Sequence, residues 1–157
     1  MTIMEFQADK IERIGEALIF FLRQTKADRL QWHVPGLDGA QGRSALEQAA
    51  ECAAVNEYVA GVLRGESPEL YRVEEKESRD VDTIAAVLDE SVKKLAAAVR
   101  AMNDEDLMRG YADKRGVIQG NRLIEMPCRH MSYHAGQINF IQTLYGDKDF
   151  RVPANWR

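Results

Sequence analysis

Two of the chain's three histidines stand four residues apart, in His130-Met-Ser-Tyr-His134. On a helix that spacing stacks both imidazoles on one face. The stripe continues through Gln137, Ile138, Ile141 and Tyr145, and its C-terminal half is apolar. Both rings are therefore expected to turn inward, where they need partners. Spacing alone leaves two answers open: a pair of core histidines hydrogen-bonded to neighbours, or a pair sharing a metal ion. Glu51 raises a similar question elsewhere in the chain, on a stripe with Val55, Tyr58 and Val62. A carboxylate on an apolar face is costly unless it is paired or coordinated; otherwise it belongs at the edge of a bundle. Two imidazoles and one carboxylate suit a divalent ion such as zinc or nickel, and three protein ligands leave a position for water or substrate. The same donors also suit non-haem iron. Imidazole must be neutral to ligate, and its ordinary pKa is about 6.5, so a bound ion should leave on acidification to about pH 5.

Several other chemistries lack their residues. Met131 follows His130, so there is no His-Glu-x-x-His motif with a resident general base. No Glu-x-x-His pair is present for a di-iron bundle. Neither a phosphate-binding glycine loop nor a Gly-x-Ser-x-Gly elbow occurs. The two cysteines, Cys52 and Cys128, form no Cys-x-x-Cys pair and read as small core residues of a reducing compartment. His33 lies in the segment Trp32–Gly36 and reads as an exposed loop residue, able to assist a substrate only if that loop folds over the mouth of the site.

These residues must be held by helices. Ile11, Ile14, Leu18 and Phe21 recur at helical spacing and predict a first helix over about 3–26. Ser44 and Glu47 form a capping box that opens a second helix, and Gly65 stops it after Leu63 or Arg64. A charged stretch with Pro68 follows, up to Asp82. Ile84, Leu88, Val92, Leu95, Val99 and Met102 mark a third helix from near Thr83. Residues 103–120 read as an irregular connection, with no alternating strand pattern. A fourth helix covers about Asn121–Tyr145, ended by Gly146, with Pro127 either marking its first turn or kinking it. The connections after the second and third helices are long enough to cross over, so periodicity leaves the topology open. Trp156, in the C-terminal tail, is a candidate to pack back onto the bundle.

Four amphipathic helices are satisfied by one common core, which makes the chain an all-α four-helix bundle, a single domain over 1–157. A length of 157 residues suffices for such a core without a disulfide or structural metal. With 21 Lys and Arg against 25 Asp and Glu, the net charge is −4. No basic stripe is present for nucleic acid. The longest apolar run, Ala17–Leu22, is far too short to span a bilayer. The N-terminus lacks the basic region and apolar stretch of a signal peptide, so the cytoplasm is the expected compartment.

Ser44-Ala-Leu-Glu-Gln-Ala-Ala-Glu51, with Asn56-Glu57-Tyr58 and Gly65, resembles the second helix of DinB/YfiT-like proteins. His130-x-x-x-His134-Ala-Gly-Gln-Ile-Asn-Phe, ending in Leu144-Tyr145-Gly146, resembles their fourth helix, and Trp32-x-x-Pro35 fits the turn after their first. The resemblance covers most of the chain. It implies a four-helix bundle, often homodimeric, with a divalent ion held by three histidines. Two of these map onto His130 and His134, and the third onto position 51, where this chain has Glu51. That departure keeps a ligand but lowers the formal charge of the site by one, which weakens the ion as a Lewis acid. The characterised relatives imply a transferase that joins a low-molecular-weight thiol to an electrophile, or a related isomerase. A metal-bound thiol is itself the nucleophile, in keeping with a chain that offers none. Water activation would make a hydrolase instead. The reading from another class is a non-catalytic bundle, binding a small molecule or serving as a stress-linked interaction module. There Glu51 accepts hydrogen bonds from the imidazoles and no metal is bound.

Overall fold

The computed structural model describes residues 1–36, 41–68, 80–114, 116–149 and 151–156. Four helices make up most of it: α1 (Ile3–Arg23), α2 (Ala45–Leu63), α3 (Val81–Arg100) and α4 (Gly120–Leu144). Each of the first three starts where a side chain satisfies free backbone amides. The Thr2 hydroxyl accepts from Glu5 N while Glu5 reaches back to Thr2 N, a second capping box beside the one between Ser44 and Glu47. Asp80 accepts from Asp82 N and Thr83 N, so α3 begins at Val81 rather than near Thr83. Gly65 and Gly146, with φ of 81° and 93°, end α2 and α4 in the left-handed conformation open to glycine. The first helix stops at Arg23, three residues short of expectation, and Ala27–Arg29 form a separate 3-10 turn.

The helices adjoin as a closed ring, α1 on α3, α3 on α2, α2 on α4 and α4 on α1. Only α2 and α3 are neighbours both in sequence and in the ring. The connections α1–α2 and α3–α4 therefore cross the bundle diagonally, whereas length alone had pointed to the connections after the second and third helices. Residues 37–40 and 69–79, which include most of the expected glycine-rich loop and charged stretch, lie outside the described residues. The α3 stripe is buried along its whole length, from Ile84 to Met102. Helix α2 is different. Ala45, Ala49, Ala50, Ala53, Ala54 and Ala60 are all buried, and their small side chains let α3 and α4 enclose it on more than one face.

The connection after α3 is more regular than its sequence suggested. A 3-10 turn at Asp104–Leu107 leads into an antiparallel hairpin, β1 (Gly110–Asp113) and β2 (Gly116–Gln119), registered as Gly110 opposite Gln119 and Asp113 opposite Gly116. Strands of four residues are too short for alternation to be visible. The hairpin is secured from outside itself: Tyr111 is buried, and the Tyr58 hydroxyl of α2 donates to the Asp113 carboxylate. Pro127 is an interior, buried residue of α4. In the tail, Trp156 meets Phe21 edge-on at 5.9 Å, and Asn155 Nδ2 donates to Arg13 O, so the tail does return to α1.

Candidate metal centre between the second and fourth helices

Helices α2 and α4 run in opposite senses where they meet. Gln48 on α2 contacts His134 on α4, and Asn56, two turns further along α2, contacts the earlier α4 residue Met131. Between these levels the two imidazoles face one another, with His130 Nε2 and His134 Nε2 3.2 Å apart and the rings nearly perpendicular. His134 is buried and His130 half-buried. The inward turn expected from the stripe is therefore present.

The hydrogen bonds around His134 determine its tautomer. Gln48 Nε2 donates to Arg43 O at 3.2 Å, which fixes the amide and turns Oε1 toward the ring. His134 Nδ1 lies 2.9 Å from that oxygen and must carry a proton to donate to it. Its Nε2 thereby keeps the lone pair that a metal ligand requires, and His130 Nε2, 3.2 Å away, is the donor between the two rings. His130 Nδ1 is buried without a hydrogen-bond partner. Burial holds both rings below the ordinary imidazole range. For His134, with the further effects of His130 and Arg43, the pKa falls to about 4. For His130 the direction is the same, from burial and then Arg43. Both rings are neutral at pH 7.

Glu51 completes the outer side. Its carboxylate lies 3.6 Å from His134 Nε2 and 3.9 Å from His130 Nε2. The three residues singled out in the sequence thus do converge. Glu51 is one-third exposed at the rim, and it also carries an ion pair with the Arg43 guanidinium. A cation already sits against this carboxylate, immediately beside the imidazoles. His33 is less open than expected of a loop residue: half-buried, its Nε2 lies 3.0 Å from Glu47 Oε2, the carboxylate that caps α2.

Cys52 was legible only as a small core residue, and it is fully buried. It nevertheless joins the site. The Cys52 sulfur and one ring nitrogen from each of His130 and His134 all lie within 4.8 Å of one another, a cluster that could hold a metal ion. A cysteine in an alanine-rich helix carries no spacing signal. Only the antiparallel register of α2 against α4, which puts residue 52 level with the histidines, could have found it.

The chain belongs to the DinB superfamily, whose family model matches residues 10–138. The match takes in α2 and both histidines of α4. Among solved structures, a DinB-like protein from Bacillus cereus ATCC 10987 superposes with a TM-score of 0.65 at 16% identity, covering 88% of this chain and 90% of that one. At that identity the likeness is one of fold. No curated protein matches the chain significantly.

Proposed function

We propose that the chain is a metal-dependent enzyme, a thiol S-transferase of the DinB/YfiT-like kind, with a divalent ion on His130, His134 and Glu51. The observation that carries the reading is the approach of the two Nε2 atoms to 3.2 Å, both facing the Glu51 carboxylate. The residues fit such an ion: imidazoles held neutral by burial, one ring oriented by Gln48, and a carboxylate 3.6 and 3.9 Å from the two Nε2 atoms. When bound, zinc or nickel there would hold a substrate thiol as its thiolate, ready for an electrophile. The chain's own residues orient the site. Gln48 sets the His134 ring, and Arg43, more than half exposed, holds its guanidinium against Glu51 beside the two rings. A homodimer in the cytoplasm is the proposed setting. Among the described residues, no helix is long and apolar enough to cross a membrane.

Elemental analysis of untagged protein is the test. About one divalent ion per chain is expected, lost in His134→Ala and diminished in Glu51→Ala. Full metal content in His134→Ala would refute the assignment. Conjugation assays with low-molecular-weight thiols, run beside hydrolysis assays on the same electrophiles, separate a transferase from a hydrolase. One observation favours the non-catalytic reading: Arg43 already neutralises Glu51, as a metal would. Protein that stays metal-free after incubation with zinc or nickel, with no gain in melting temperature, would establish that reading instead.

A further inference from the structure

We propose that the Cys52 thiolate is a ligand of the ion on His130 and His134, and that Glu51 is the exchangeable member of the set. Glu51 would be on the ion in one state and paired with Arg43 in the other. The proposal rests on the metal-site reading above and deepens it.

The placement of Cys52 follows from α2. Gln48, Cys52 and Asn56 form one row at four-residue spacing. The first touches His134 and the last touches Met131, Asn56 Nδ2 lying 3.4 Å from its sulfur. The residue between them is level with the histidine pair, and its sulfur belongs to the same cluster as the two ring nitrogens. Small rotations bring such a cluster to zinc–sulfur and zinc–nitrogen bonds of roughly 2.0–2.3 Å. Glu51, the adjacent residue, differs in two respects. It stands at the rim, and it already has a cationic partner in Arg43.

Softness separates the two donors. A thiolate favours zinc and cobalt over magnesium or manganese, whereas a carboxylate discriminates less. Binding through Cys52 releases its thiol proton to solvent. The charge contributed by the protein is −1 whether Cys52 or Glu51 is the anion. With Cys52, His130, His134 and Glu51 all on the ion the site would have four protein ligands, the closed pattern of structural zinc. With Glu51 on Arg43, three remain and a position opens for substrate. Arg43 thus governs access to the ion by withdrawing a carboxylate rather than by contacting the ion.

Cobalt(II) substitution tests this. Metal-free protein loaded with cobalt should take up one ion per chain and show an intense near-ultraviolet sulfur-to-cobalt charge-transfer band. The band should vanish in Cys52→Ser and persist in Cys128→Ser, which alters the other buried cysteine, and in Glu51→Gln. Stoichiometric cobalt without the band in the wild type overturns the inference and leaves the metal-site reading standing. No uptake at all overturns both. If Cys52→Ser does not fold, as judged by helical circular dichroism, the cadmium resonance of the wild-type protein decides. A strong downfield position marks thiolate ligation, and a position typical of nitrogen and oxygen donors alone refutes it.

Discussion

At the scale of single residues, the site is controlled by groups that its motif does not contain. On the proposed assignment, Arg43 would compete with a divalent ion for Glu51. Arg43→Ala is expected to tighten metal binding by up to about fivefold, the equivalent of the ~1 kcal/mol an exposed ion pair contributes, as measured by calorimetric titration; weaker binding in the variant would contradict the competition. The buried imidazoles also set a pH dependence in the metal-free protein. The folded pKa of His134, about 4, lies below the ordinary value of 6.5, so the unfolded chain binds more protons between those limits. Its contribution is present in full above pH 6.5 and is lost progressively as pH falls toward 4. The loss is on the order of 3 kcal/mol for that ring. Denaturant titrations across that window should slope accordingly, and His134→Asn should flatten them. His130, His134 and Glu51 were legible because polar groups on apolar stripes are anomalies. Gln48, Arg43 and Cys52 were not. A glutamine, a surface arginine and a small cysteine are ordinary in a helix, and only the packing of α2 on α4 gives them roles.

At the scale of elements, the helix ends and stripes followed from local chemistry that a sequence displays. The α3 stripe, the Ser44–Glu47 box and the glycine stops at 65 and 146 all stand where their residue types require. The β1–β2 hairpin did not stand out, because its stability comes from elsewhere, from Tyr58 on α2 and from the close approach of its end to the preceding 3-10 turn. Gly120 marks that approach: a Cβ there would lie 2.1 Å from Asp106 O, which is backbone and cannot swing aside. Gly120→Ala should therefore lower stability by about 3 kcal/mol or more. Gly15→Ala, where a Cβ would meet the Val92 side chain at 2.6 Å, should cost less, about 1–2 kcal/mol, because a side chain can yield. Thermal melts of the two variants check the order as well as the size. The reverse order would mean that the 3-10 turn is looser than its contact with α4 implies.

At the scale of the whole molecule, the candidate centre ties together two helices separated in sequence by α3 and the hairpin. An ion that binds only the folded chain stabilises it by about 2.7 kcal/mol at a concentration one hundred times its dissociation constant. For a chain of this size that corresponds to a rise of roughly 5–10 °C in melting temperature. The rise should appear with zinc and be absent in His134→Ala, as differential scanning fluorimetry can measure. The ring order of the helices lay beyond periodicity, since four stripes are compatible with several orders. What the row Gln48, Cys52, Asn56 selects is the depth of α2 against its neighbours. Asn56 also donates to Ser91 of α3, so a single amide touches both flanking helices. If α2 slid by one turn, about 5.4 Å, the amide of Asn56 would stand where Cys52 stands now, Cys52 would face the ring now served by Gln48, and Ser91 would keep only its own bond to Leu88 O. The first two misplacements each strand a buried polar group at a cost of about 1–3 kcal/mol. An alanine-rich helix slides easily by shape alone; in this bundle three polar side chains act as the teeth of a key and allow one depth of insertion.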